Sequence, residues 1–299
     1  MIISASRRTD IPACQADWFL ERLREGSVRV RNPMNPRQER EVSLRPDDVE
    51  GMVLWTKNPI PLMGRLDALR EYAYYVQFTL TPYGRDIEAH LPDKGELVEA
   101  FCRLSDRLGP ERVLWRYDPI LLTPQCTLAY HEDRFEAMAR KLAGRTAQCT
   151  ISFLDMYPRI RSAMRSIQAS APGEEEMRWL ARSLSQIAAG YRLKLVSCAE
   201  TIDLDEFGID HACCVDAERL SRLSGQRIRA VRDRNQRPAC GCAQSVDIGT
   251  YDTCQNGCRY CYACRSQGKE PPAPTGNPAG VRRQGEGTEK DGPSAAHLA

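Results

Sequence analysis

Short apolar or β-branched runs alternate with amphipathic helical patterns along most of this chain of 299 residues. The runs that have the character of strands cover residues 2–5, 52–55, 74–80, 112–116, 149–153 and 193–198. Helical periodicity lies between them, as at Leu97, Phe101, Leu104 and Leu108 ahead of Gly109. Strands separated by helices pair in parallel, so this order predicts an α/β fold with one parallel sheet and right-handed crossovers.

The length of the repeated βα unit favours a TIM-like (β/α) barrel, complete, partial or circularly permuted, that carries a C-terminal cysteine-rich loop. An open, doubly wound parallel sheet is the alternative. Its dinucleotide-binding version loses its best support, because Ser4-Ala-Ser-Arg-Arg-Thr9 stands where a Gly-x-Gly-x-x-Gly turn would follow the first strand. Residues 28–30 and 41–44 flank a turn-rich segment and predict a small antiparallel hairpin outside the main sheet.

Changes in composition predict three regions. We expect a barrel-like domain over residues 1–239, a cysteine-rich metal-cluster segment packed on it over residues 240–264, and a disordered tail over residues 265–299, where polar residues, Pro and Gly predominate. The net charge is +2, with acidic and basic residues nearly balanced. A nucleic acid is therefore not a favoured partner, although a local basic patch is compatible with this balance.

The chain contains 13 cysteines, and six of them lie within residues 240–264. Its first residues lack the basic-then-apolar order of a signal peptide, and no apolar run approaches the length of a membrane span. We therefore expect a cytoplasmic protein with no membrane partner. In a reducing compartment, clustered thiols bind metals more often than they form disulfides.

Three of the late cysteines have C-x3-C-x2-C spacing: Cys254, Cys258 and Cys261. A loop spaced in this way can wrap three thiolates around a four-iron cubane and leave one iron without a protein ligand. A structural zinc site is the alternative, since thiolates at short spacings also suit tetrahedral zinc. Cys240, Cys242 or Cys264 would complete a closed site, and the spacing leaves open whether any of them is a ligand.

This spacing, with Tyr260 before the third cysteine, resembles the cluster-binding signature of radical S-adenosylmethionine (SAM) enzymes. Over residues 1–264 the chain is also similar to a bacterial family of unknown function, numbered eighteen forty-eight. The segments that carry this second resemblance are Ile3-Ser-Ala-Ser-Arg-Arg-Thr-Asp-Ile-Pro12, Trp55-Thr-Lys-Asn-Pro59, Trp115-Arg-Tyr-Asp-Pro119 and Cys240-Gly-Cys242. That family implies a cysteine cluster of radical SAM type and brings no established activity.

The radical SAM resemblance implies an enzyme that binds a 4Fe–4S cluster and SAM, cleaves SAM reductively and abstracts hydrogen from a substrate that the sequence does not identify. It also implies an external electron donor. Cys254, Cys258 and Cys261 are the metal ligands in this interpretation. We expect Tyr260 to pack against the SAM adenine, and Arg7, Arg116 or Lys57 to pair with the SAM carboxylate.

Two features depart from the usual radical SAM pattern. The cysteine loop follows the last predicted strand, near residues 246–251, whereas in most such enzymes it follows the first, and the Gly-Gly-Glu pattern that holds the SAM amine in many members is absent. A circularly permuted barrel would reconcile the first departure, because its end strand can neighbour its first strand.

Polar residues follow the predicted strands, and the sites of parallel α/β proteins form at those strand ends. Asp118 and Glu200 are candidates for acid–base catalysis, and Arg116 is the third candidate catalytic residue. Two functions from other classes stay open: a non-catalytic zinc or iron–sulfur binding module, and a metal-independent barrel enzyme with an electron-transfer or sensing cluster.

Overall fold

The computed structural model describes residues 1–35 and 37–264, and the tail predicted over residues 265–299 lies outside the described residues. The strands are β1 (Ile2–Ala5), β2 (Ser27–Arg31), β3 (Glu39–Ser43), β4 (Gly51–Thr56), β5 (Tyr74–Thr79), β6 (Val113–Ile120), β7 (Gln148–Phe153), β8 (Lys194–Ser197), β9 (Asp210–His211) and β10 (Val246–Asp247). The α-helices are α1 (Ile11–Cys14), α2 (Ala16–Glu25), α3 (Ile60–Met63), α4 (Lys94–Leu108), α5 (Leu128–Leu142), α6 (Arg161–Ser166), α7 (Glu174–Gly190) and α8 (Ala217–Ser224). Across this described part, no helix combines the length and the apolar character that crossing a membrane requires.

Eight strands form one parallel sheet in the order β10-β1-β4-β5-β6-β7-β8-β9. The predicted α/β fold with a parallel sheet is confirmed, and β2 and β3 form the predicted antiparallel hairpin outside it. Among the described residues no ladder joins β9 to β10, so the sheet is open and a closed barrel is not formed by its hydrogen bonds. The edge strands β9 and β10 have two residues each, which leaves few backbone groups with which to close it.

Side chains alternate between the two faces of the sheet, as they must in extended strands. On one face, Val76 and Phe78 of β5 belong to an apolar core shared with α2, α4, α5 and α7. On the other face, Tyr75 packs in a second core with Leu220 of α8 and with Cys214. Helical segments against both faces fit the alternative expectation of an open parallel sheet.

The last strand returns to the first. Ile3 of β1 is in register with Val246 of β10. The carboxylate of Asp247 accepts hydrogen bonds from Ser6 Oγ at 2.6 Å and from the Arg7 backbone N–H at 2.8 Å. A Cβ on Gly249 would overlap the Ser6 side chain, so this close approach needs glycine. The last strand therefore lies beside the first, as a circularly permuted arrangement requires.

Candidate functional site

A pocket of about 340 Å³ opens where the parallel strands end, and its wall includes residues of the last part of β6 and residues that follow β1, β4, β7 and β8. Of the residues predicted from sequence, eight line this pocket: Arg7, Lys57, Arg116, Asp118, Cys254, Cys258, Tyr260 and Cys261. Glu200 lies behind the wall, where its Oε1 accepts a hydrogen bond from the backbone N–H of Phe153 at 2.9 Å. The tertiary fold thus brings the predicted residues to one place.

Backbone pairing holds the cysteine loop against the segment that follows β5. The Arg259 N–H donates to the Ile87 carbonyl at 2.9 Å, and the His90 N–H donates to the Asn256 carbonyl at 3.2 Å. Gly257 lies between these contacts with φ of 68°, a left-handed conformation that glycine adopts without strain. The loop therefore has a defined path over the strand ends.

Asp10 anchors the same loop to the end of β1. Its Oδ2 accepts hydrogen bonds from the Lys57 backbone N–H at 2.7 Å and from Asn256 Nδ2 at 2.8 Å. Its Oδ1 accepts from the Ala13 N–H at 3.0 Å and caps α1. Burial, followed by the nearby Cys254, raises the pKa of Asp10 to about 6. One buried carboxyl group thus ties together three separate segments.

Two further thiols lie beside the predicted cluster ligands. The Cys14 thiol donates to Asn256 Oδ1 at 4.0 Å, and the Cys264 thiol donates to the Cys254 carbonyl at 3.6 Å. Interaction with the Cys14 and Cys264 thiols lowers the pKa of Cys254 well below its usual range. Interaction with the Cys264 thiol lowers the pKa of Cys261, whereas burial raises the pKa of Cys258 well above the usual range. No pattern in the sequence pointed to Cys14, because it lies on α1, far from the other thiols along the chain.

As their side chains are placed, no three His, Cys, Asp or Glu residues of the described part form a group that could hold a metal ion. The three predicted ligands nevertheless share one pocket wall. Their donor chemistry, three thiols on one short loop, suits an iron–sulfur cluster.

Glu88, which sequence analysis did not single out, organises the charges beneath the loop. It is 1% exposed and accepts from Lys57 Nζ at 2.9 Å, from Thr81 Oγ1 at 2.8 Å, and from Lys94 and the Tyr260 hydroxyl. Burial raises the pKa of Glu88, but the two lysines outweigh it and bring the pKa to about 2. Lys57 and the Tyr260 hydroxyl, both expected to contact SAM, are therefore engaged with Glu88 in this arrangement.

Two arginines flank Trp55 in the pocket wall. The guanidinium carbons of Arg7 and Arg116 each lie 5.3 Å from the centre of the Trp55 ring, within the range of cation–π attraction. The Nε of Arg7 and the hydroxyl of Thr9 are buried and have no hydrogen-bond partner among the described residues. Unpartnered buried polar atoms are costly, so these two are candidates for contact with a ligand.

The pKa values of the two candidate acid–base groups, Asp118 and Glu200, are shifted in opposite directions. Burial raises the pKa of Asp118, but its ion pair with Arg116 and its hydrogen bond from Ser152 outweigh that effect and lower the pKa below the usual value. Burial, opposed by the Phe153 N–H, raises the pKa of Glu200 to about 7. Glu200 is thus the one of the pair suited to exchange a proton near neutral pH.

Comparison with curated proteins and with solved structures gave no match. The match to a protein family covers almost the whole described chain, from the first strand to the end of the cysteine loop. Residues 2–263 match the family described as Domain of unknown function (DUF1848), and the chain belongs to that family.

Proposed function

We propose that this chain is an iron–sulfur enzyme of radical SAM type, in which Cys254, Cys258 and Cys261 hold a 4Fe–4S cluster. The observation that carries the proposal is the position of these three thiols in the wall of a pocket at the ends of parallel strands. The loop that bears them reaches this position because β10 pairs with β1. In a circularly permuted relation to other radical SAM enzymes, the loop after the last strand takes the place of the loop after the first.

The pocket suits a ligand the size of SAM. Its volume of about 340 Å³ lies within the range of about 300–1,000 Å³ that is usual for small-molecule sites. When bound, the cluster and SAM supply reductive cleavage of the sulfonium and a radical that abstracts hydrogen. The reaction draws its electron from an external donor, and its substrate belongs in the remainder of the pocket.

In this proposal, residues of the pocket bind SAM and support the cluster ligands. The unpartnered Nε of Arg7 is available to a carboxylate, and its guanidinium is fixed over Trp55. Lys57, held by Glu88, keeps a positive charge near Cys258 and favours the thiolate that binds iron. Glu200, whose pKa is raised by burial to about 7, is our candidate for exchanging a proton with a group in the pocket.

A closed, non-catalytic metal site is the second candidate function. It is favoured by one observation, the position of Cys264, whose thiol donates to the Cys254 carbonyl at 3.6 Å and interacts with the thiols of Cys254 and Cys261. A fourth thiolate would close the iron or complete a tetrahedral zinc site. Such a site would attach the cysteine loop to the sheet without chemistry of its own.

Anaerobic purification followed by counts of iron, sulfide and zinc tests the proposal. We expect iron with sulfide, and 5′-deoxyadenosine after addition of dithionite and SAM. The Cys258→Ala variant should lose 5′-deoxyadenosine formation, while Cys102→Ala, which changes a free thiol on α4, should keep it. Zinc alone, or iron without SAM cleavage, would contradict the proposal.

The Cys264→Ala variant separates the open site from the closed one. With an open iron, this variant keeps its cluster, its colour and SAM cleavage. A variant that is folded but colourless would identify Cys264 as a fourth ligand. A metal-independent enzyme would instead retain turnover in Cys258→Ala and lose it in Glu200→Gln.

A further inference from the structure

A second group of four cysteines lines the same pocket: Cys198, Cys214, Cys240 and Cys242. They come from separate parts of the chain. Cys198 follows β8, Cys214 follows β9, and the other two belong to the long segment between α8 and β10. This convergence is produced by the tertiary fold and is independent of the C-x3-C-x2-C loop.

The four thiols form a continuous series of contacts. The sulfurs of Cys198 and Cys214 are 3.4 Å apart. Cys242 lies within hydrogen-bonding reach of both Cys214 and Cys240, and its sulfur accepts from the Val215 N–H at 3.4 Å. Each thiol therefore touches at least one other member of the group.

Buried cysteines often serve as small apolar residues, but the charges around this group argue for more than packing. Arg116 Nη1 donates to Cys214 Sγ at 2.9 Å. Arg7 interacts electrostatically with Cys242, Cys214 and Cys240, and its Nε has no hydrogen-bond partner among the described residues. Arg116 is also ion-paired with Asp118, and the Asp247 carboxylate lies near Arg7. The hydrogen bond from Arg116 to Cys214 and the unpartnered Nε of Arg7 would nevertheless be matched better by metal-bound thiolates than by neutral thiols.

We propose that Cys198, Cys214, Cys240 and Cys242 form a second metal site, at which four thiolates bind a thiophilic metal centre. Zinc ions and iron–sulfur clusters are the centres that such a ligand set selects. In a tetrahedral zinc site with Zn–S bonds of about 2.3 Å, neighbouring sulfurs are about 3.8 Å apart. The Cys198–Cys214 separation of 3.4 Å is close to that spacing. Binding a single zinc ion would therefore require smaller side-chain movements than binding an iron–sulfur cluster.

The four thiols lie close together, but their sulfurs do not point at one common position. Metal binding therefore requires some of these side chains to rotate about χ1. The bound centre would fix residues 225–245, which carry little regular structure, to the ends of β8 and β9. Metal ligation commonly supplies the stability that such irregular segments lack. The site does not depend on the proposed radical SAM activity.

Metal analysis of a variant without the first site tests this inference. In the Cys254→Ala/Cys258→Ala/Cys261→Ala variant, purified without oxygen, we expect native mass spectrometry to show a bound metal centre. Zinc without sulfide identifies a single ion, and iron with sulfide identifies a cluster. Adding Cys214→Ser should remove that metal, whereas adding Cys213→Ser, a change to the exposed neighbouring thiol, should leave it in place. A folded triple variant that contains no metal would overturn the proposal.

Thiol labelling of the unaltered protein keeps the test valid if the variants fail to fold. With metal bound, N-ethylmaleimide should not label Cys198, Cys214, Cys240 or Cys242. After EDTA treatment for zinc, or acid release of iron and sulfide for a cluster, peptide mass spectrometry should find them labelled. Equal labelling before and after stripping, or a Cys198–Cys214 disulfide in freshly purified protein, would refute the inference.

Discussion

His131 is a buried histidine whose protonation we expect to destabilise the protein in mild acid. It lies on α5 and is 0% exposed. Its Nε2–H donates to the Leu121 carbonyl at 2.8 Å, which leaves Nδ1 to accept from the Tyr117 hydroxyl at 2.8 Å. Burial lowers the pKa of His131 to about 4 from its ordinary 6.5, although the Leu121 carbonyl opposes the change. The folded protein therefore favours the neutral ring.

The sign of the pH dependence follows from this lowered pKa. The unfolded chain takes up a proton at higher pH than the folded protein, so the contribution is complete above pH 6.5 and is lost as the pH falls towards 4. The full loss in the free energy of unfolding is about 3 kcal/mol. By pH 5 the expected loss is about 2 kcal/mol.

Urea unfolding of the wild type and of His131→Gln at pH 7.5 and pH 5, with equal metal content, measures this effect. Glutamine keeps one donor and one acceptor but does not titrate. At pH 7.5 we expect the variant to be less stable, and at pH 5 we expect its disadvantage to shrink by about 2 kcal/mol. Other groups that titrate in this range, such as Asp10 and Glu200, are present in both proteins and cancel in the difference. An equal disadvantage at both pH values would refute the reasoning.

Three further predictions concern residues that support the site. Asp10→Ala removes the acceptor of three hydrogen bonds and should lower the free energy of unfolding by about 3 kcal/mol in urea titrations; an unchanged midpoint would contradict its anchoring role. Glu88→Ala leaves two lysines without their buried partner and should cost about 3–5 kcal/mol, measured in the same way; a loss below 1 kcal/mol would mean that water already compensates these charges. Gly249→Ala drives a Cβ into Ser6 and should cost about 1–3 kcal/mol in thermal unfolding, while Gly64→Ala, where nothing lies within 4 Å, is the matched control and should cost less.

The main elements of the fold were predictable because their signals are local. The strand at residues 2–5 has the bounds of β1, and the helical pattern that ends before Gly109 corresponds to α4. The strand β9 and the helix α8 were not predicted, since two exposed residues carry no apolar run and the eight residues of α8 offer only two turns of periodicity. The choice between a complete or partial barrel and an open sheet could not be made from sequence for a related reason, because closure depends on edge strands that local sequence barely encodes.

In the candidate site, too, some residues could be predicted from local sequence and others could not. The spacing of Cys254, Cys258 and Cys261 identified a compact group of thiols, since three thiols on one short loop are close in space in any fold, and we propose this group as metal ligands. Asp118 was recognisable in the same local manner, as a polar residue after the strand predicted at residues 112–116, although in the structure it lies within the longer strand β6. Glu88 carried no comparable signal, because its role depends on lysines and a tyrosine supplied by other segments.

By itself, then, the sequence determined the parallel α/β class and the compact cysteine loop, both of which depend on residues a few positions apart. Only the tertiary structure decided that β10 lies beside β1, that Glu88 holds Lys57 and Tyr260, and that a second group of thiols meets two arginines. The physical reason is that these contacts join residues separated by tens to hundreds of positions. Their energies depend on burial and distance, which are defined only once the sheet has formed.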